Sequence, residues 1–389
     1  MQHDQNLQHS RWAVAALFGA NGFSMGIWAT QIPLLLPRHQ ITESTLGLLI
    51  LALGLGAVGA MLFAGRLIAA YGSRRVVIAF ALAASPSLAL VVFAPNLWLL
   101  APAMAAFGAL TGCMDVAMNA NAVAVERSLG RAIMSSSHGF WSLGGFVGGS
   151  VGSYAIARFG ADVQIIGATL LALTVVALAI PFLLRDAPAP VVGQKPRKTA
   201  LLPRDLSLWV LGLLALFAMI PEGAVLDWSA IFLKKELGAD IFRSGLGFAF
   251  CAGAMAAVRF AGDGLRNRLG AVKTLRWSGL IAAVGLMGAA LAPNDVTAIV
   301  FFAIAGTGIA NMVPILFSAA GNHPGIDAGM AISTVTMVGY AGILVAPSSI
   351  GFVAEWFGFR LTYGALALLL LVVVAMANRV AAADGVGKP

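Results

Sequence analysis

Three acidic side chains, Asp115, Glu222 and Asp227, stand inside stretches that are otherwise apolar. A charged group at mid-bilayer costs about 2.5–3.5 kcal/mol on insertion scales, so such a residue faces a wet cavity or a partner. A carboxylate so placed can also take up and release a proton. Asp115 and Asn119 are four residues apart, about 40° round a helix, and share one face. An acid and an amide on one wet face can exchange a proton and hydrogen-bond a polar solute. The alternative is a structural bond between helices, worth about 0.6 kcal/mol on average in membranes. Glu222 follows Pro221, which frees a backbone carbonyl and is expected to break the helix locally. Asp227 lies about 140° further round and faces elsewhere. An outer-gate bond and a substrate contact are both open for it.

Other side chains invite weaker readings. His138 opens a span near Glu126, Arg127 and Arg131, and the four could form a pH-sensitive inner gate. A static interfacial hydrogen bond is the plainer alternative. Trp28, Trp141 and Trp228 lie away from the span ends where membrane tryptophans collect. Aromatic faces hold organic cations and line small-molecule sites, so these three are candidate substrate-lining residues, with core or lipid packing as the alternative. Asn21, Gln31, Asn311 and Tyr340 are further polar candidates for the lining. Cys113 and Cys251 sit in apolar stretches and read as packing residues. No metal-ligand spacing, Asp-x-x-Asp pair, His-x4-Asp or Walker motif occurs, so neither metal, cofactor nor enzyme chemistry is expected.

The elements that must position these groups follow from composition. Of 389 residues, 60% are hydrophobic and only 10% charged, with mean hydropathy +0.91. A soluble domain carries about 25% charged residues. This excludes a soluble enzyme, a nucleic-acid binder and a secreted disulfide scaffold, and points to an all-α integral membrane protein. Twelve stretches approach the roughly 20 apolar residues that span a bilayer. They run over 12–36, 44–65, 76–94, 98–125, 134–157 and 162–184, then 207–232, 243–262, 272–292, 295–319, 327–353 and 359–379. The Pro-rich basic stretch 185–206 separates an N-terminal unit, 1–184, from a C-terminal unit, 207–389. The N-terminus shows no cleavable signal pattern. With both termini in the cytoplasm, eighteen basic residues fall inside and six outside, which fixes the orientation. The net charge of +8 is explained by those loops. Arg259 is counted among them, and no Lys or Arg is expected deep inside a span.

The halves repeat at an offset of about 197 residues. Phe63, Ala64 and Gly65 match Phe260, Ala261 and Gly262; Gly112 and Asp115 match Gly308 and Asn311; Phe159 and Gly160 match Phe357 and Gly358; Trp28 matches Trp228. A parallel duplication of six helices places a solute site between the halves. In the fifth span Gly144, Gly148 and Gly152, and separately Gly145 and Gly149, permit close helix approach.

The loop GRLIAAYGSRR, residues 65–75, resembles the signature of the major facilitator superfamily, with Gly65, Gly72, Arg74 and Arg75 in place. Ala69 stands where the family usually has an Asp that helps hold the cytoplasmic side closed. The duplicated loop GDGLRNRLG, residues 262–270, is a looser match. DVAMNANAVAVE (115–126), HGFWSLGG (138–145) and EGAVLDW (222–228) resemble a bacterial inner-membrane branch near the fucose-permease-like sugar/proton symporters. The resemblance implies the major facilitator fold: twelve transmembrane helices in two pseudo-symmetric six-helix bundles. It implies a monomeric secondary transporter working by alternating access. Asp115 would be the main proton carrier and Glu222 a helper, while Gly65, Gly72, Arg74 and Arg75 would serve gating. The expected partners are a small-molecule substrate, protons and the lipid bilayer, and no nucleic acid. With no buried basic clamp, the solute is expected to be sugar-like or another neutral or cationic metabolite. Proton-coupled efflux of apolar cations, and a non-transporting membrane sensor on the same fold, are the alternatives.

Overall fold

A computed structural model describes residues 2–129, 133–185, 205–324, 326 and 328–385. Among these residues all regular structure is helical, with no strand. That is what a bilayer demands, because each backbone polar group must be satisfied within its own segment or a closed barrel. The first half holds α1 (Gln2–His39), α2 (Glu43–Tyr71), α3 (Ser73–Val92), α4 (Leu97–Leu129), α5 (Met134–Phe159) and α6 (Ala161–Ala179). The second holds α7 (Leu206–Leu237), a single turn α8 (Ile241–Ser244), α9 (Leu246–Leu269), α10 (Ala271–Ala290), α11 (Asp295–Ile309), α12 (Met312–Gly321) and α13 (Ala328–Ala375).

Nine runs among the described residues are long and apolar enough to cross a membrane. One of them, Thr334–Ala375, contains two rods that meet at Gly358, where φ is 79°. With α5 and α10 the spans number twelve, as the sequence predicts. Side-chain caps start several of them: Thr42 accepts from the Thr45 amide, Asp205 from Ser207 and Asn294 from Thr297. These oxygens satisfy orphan N–H groups at the helix start.

The duplication is visible in the backbone. Gly72 and Gly270, at φ 80° and 79°, join α2 to α3 and α9 to α10. Gly160 and Gly358, at φ 85° and 79°, make the α5–α6 joint and the break in α13. Both pairs lie 198 residues apart, and a Cβ at positive φ would be strained. Neighbours repeat as well: α1 packs on α5 and α2 on α4, while α7 packs on α13 and α9 on α11. Two pseudo-symmetric bundles result, and they meet through α5 with α9, α2 with α13 and α1 with α7. The glycine series of α5 divides between these jobs. A Cβ at Gly144 or Gly148 would collide with the α1 backbone at Gly19 or Phe23, and one at Gly149 would press on Ala249 of α9.

Candidate functional site

Glu222 lies midway along α7, which runs unbroken past Pro221 from Leu206 to Leu237. The expected local break is absent. The helix absorbs the proline instead, and Glu222 is held by a continuous rod. Opposite stands Arg259 of α9. Its guanidinium approaches the Glu222 carboxylate to 3.6 Å, and the two side chains are 15% and 26% exposed. The same guanidinium donates to the Ser142 hydroxyl of α5 at 2.6 Å, bridging the two halves. This corrects the sequence assignment of Arg259 to a loop. α9 continues to Leu269, so Arg259 is well inside the helix. Its Cα–Cβ bond tilts towards the helix N-terminus, and its long side chain reaches the partner from there. Neither Arg259 nor Ser142 was among the sequence candidates. The signal available was the Arg's length and its place three residues inside Gly262. With Arg259 in the interior, the ground for excluding an anionic solute is gone.

Asp115 and Asn119 do share a face of α4, and both are half-buried. The Asn119 amide donates to the Asp115 backbone carbonyl at 2.9 Å and to its carboxylate at 3.3 Å. Trp141 of α5, also half-buried, donates to the buried Asn21 of α1 at 2.9 Å. Among the described residues the Asn21 amide nitrogen has no hydrogen-bond partner.

Several candidates are placed otherwise than as lining. Trp28 and Trp228 are 1% and 0% exposed. Trp28 donates its indole N–H to Asp227 at 3.2 Å, across the halves. Trp228 packs against Phe359 and beside Gly351. Both are core residues in this conformation, and Asp227 is tied up in a contact between the halves. Gln31 is buried and donates to Gln164 at 2.8 Å, so it ties α1 to α6. Asn311 stands at the joint between α11 and α12, inside the single span Asp295–Ala320 that the sequence predicts.

Only part of the expected inner-gate cluster lies among the described residues. Glu126 accepts from the Ile133 and Met134 amides at 2.7 and 3.1 Å, capping the start of α5. His138 instead meets the edge of Phe18 with centroids 5.1 Å apart. Arg131 and the side chains of Arg127 and Tyr340 lie outside the described residues. Arg74 donates to the Ile180 and Leu183 carbonyls at 3.2 Å, so it ties α3 to the end of α6 within one bundle. Gly72 forms the α2–α3 joint, Gly65 has open space where a Cβ would stand, and Arg75 is exposed.

The halves close on one another at the α1–α2 turn end. There Lys235 pairs with Glu43, the Ser44 amide donates to Glu355 at 2.9 Å, and Gly47 abuts the backbone at Pro347 and Ser348. Trp28 and Asp227 lie on the same side of the Glu222 cluster. Towards the opposite end of α2, Leu62 and Phe63 are exposed, and Gly59 faces open space.

The family model described as Major Facilitator Superfamily matches residues 14–326. An uncharacterised MFS-type transporter of Yersinia pestis is 37% identical over 360 residues, covering 92% of each chain. The chain is similar in fold to a D-xylose-proton symporter, with TM-score 0.72 and 14% identity over 94% of this chain and 96% of that one. It is also similar to the E. coli fucose:proton symporter FucP, with TM-score 0.62 and 18% identity over 95% and 97%.

Proposed function

Because the chain belongs to the Major Facilitator Superfamily, whose members are membrane transporters and not enzymes, we propose that it moves a small polar solute by alternating access, coupled to protons. Residues 1–184 and 207–389 are the two rocking bodies, and 185–206 is their linker. The observation that carries the reading is the half-buried Arg259 and Glu222 pair with the buried Ser142, where α5, α7 and α9 meet. Ionisable groups at that depth mark a solute or ion pathway. Asp115 is the main proton carrier, with Asn119 holding its carboxylate, and Glu222 assists.

The basic loops put both termini in the cytoplasm of a bacterial inner membrane. The closed α1–α2 turn end then faces outward, and the site opens inward. The working unit is a monomer, since one chain brings both halves of the site. Efflux of apolar cations draws less support, because Trp28 and Trp228 are packed into the core.

The test is a solute panel in proteoliposomes, with and without an imposed proton gradient. Accumulation of one solute class that collapses with the gradient is expected. A solute that binds the purified protein yet never crosses the vesicle membrane would make it a sensor instead.

A further inference from the structure

The Glu222–Arg259 pair is not shaped like one built for stability. A charge-assisted N–H to O bond settles at about 2.7–2.9 Å, and Arg–carboxylate pairs are often bidentate. Here the carboxylate stands 3.6 Å away, and the short bond, 2.6 Å, goes to Ser142. Buried ion pairs are weak evidence for stability in any case, because desolvation offsets the attraction. Both partners keep some exposure, so a group arriving through the site can reach them. A guanidinium recognises planar carboxylates through its forked donors.

We propose that Arg259 anchors a carboxylate carried by the transported solute, and that Glu222 occupies that anchor while the site is empty. The inference rests on the transport reading above and narrows its solute to an organic anion. A second carboxylate at Arg259 would leave a net negative charge in a poorly solvated place. Glu222 removes that charge by taking one proton from water in the site: an O–H bond forms on the side chain as a hydronium becomes water. The neutral Glu222 releases Arg259, the solute carboxylate takes its place, and solute and proton enter one cycle. From the elements packed here, Ser142 of α5 touches Arg259. His138 of α5 lies within electrostatic reach of Arg259, and Cys251 of α9 within reach of both Arg259 and Glu222.

The probe is a pool of water-soluble bacterial metabolites, treated with phosphatase and split by anion exchange into retained and unretained fractions. Thermal unfolding of the full-length protein in detergent is the readout. The retained fraction should raise the Tm of the wild type and leave Arg259→Gln unchanged. Since Arg259→Gln strands a carboxylate and can weaken the fold, Arg259→Gln with Glu222→Gln keeps the site neutral and should also fail to respond. Glu222→Gln alone mimics the protonated state and should respond at lower ligand. If Glu222 occupies the anchor nine-tenths of the time, removing it tightens apparent affinity about tenfold. Stabilisation by the unretained fraction alone, or a weaker response in Glu222→Gln, overturns the inference and leaves the transport reading standing. If neither fraction shifts the wild type, the inference and the solute-binding reading fall together.

Discussion

Asp227 accepts a hydrogen bond from the Trp28 indole across the halves. Asp227→Asn keeps an acceptor for the Trp28 indole and should unfold at the wild-type temperature. Asp227→Ala leaves the N–H buried without a partner. Side-chain bonds inside membranes average about 0.6 kcal/mol and reach about 1.7, so a loss within that range is expected in detergent unfolding. If Asn and Ala cost the same, the bond contributes nothing. Depth along a helix is legible from sequence, so Asp115, Glu222 and Asp227 could be singled out by position alone. Arg259 could not, because its functional end lies a side chain's length from its Cα. For Trp28 and Trp228 the sequence leaves lining and core packing both open, and the structure shows packing. Residue type says that an aromatic ring suits a solute, but only packing says that the ring is already covered.

At the scale of the helix, glycines decide where rods touch. Gly144→Ala would drive a methyl into the α1 backbone at Gly19. Overpacking of this kind costs about 1–3 kcal/mol, and a lower unfolding temperature is expected. Gly59→Ala meets open space and removes a helix penalty of about 0.5–1 kcal/mol, so it should hold or raise the Tm. A reversed order for the two variants would contradict the packing described. Gly358→Ala, at φ 79° and ψ 162°, should cost about 1–3 kcal/mol for a backbone conformation that is essentially glycine-only, measured by the same unfolding assay. Twelve spans were legible because apolar length is a one-dimensional signal. So was the division of the glycines into two series, because their spacing sets two faces of α5. The joint at Asn311 inside the tenth span and the continuity of α7 through Pro221 were not. Both depend on which neighbours satisfy the backbone, and that is fixed only in three dimensions.

At the scale of the whole molecule, two bundles are latched at one end by Glu43 with Lys235 and by Ser44 with Glu355. Lys235 is 61% exposed though Glu43 is only 7%, so solvent at the lysine screens the pair towards the roughly 0.2–1 kcal/mol of surface bridges. A latch this weak can open within a transport cycle. Lys235→Gln should therefore raise labelling of a Ser348→Cys reporter by a membrane-impermeant thiol reagent, by up to about fivefold. Cys113 and Cys251 are buried and add little background. Unchanged labelling would mean that this pair does not hold the closed end. The repeat and the family signature made the overall architecture readable from sequence. The closed end was not, since its contacts join residues hundreds of positions apart.

The most direct measurement is proton movement driven by solute in proteoliposomes, comparing the wild type with Asp115→Asn. Adding a transported solute outside wild-type vesicles should carry protons with it and shift the internal pH. Asp115→Asn should still exchange solute between the two sides, with a much smaller solute-driven pH change, limited to what Glu222 carries. If Asp115→Asn vesicles show the same solute-driven pH change as the wild type, Asp115 is not the proton carrier and the coupling proposed for this site is wrong.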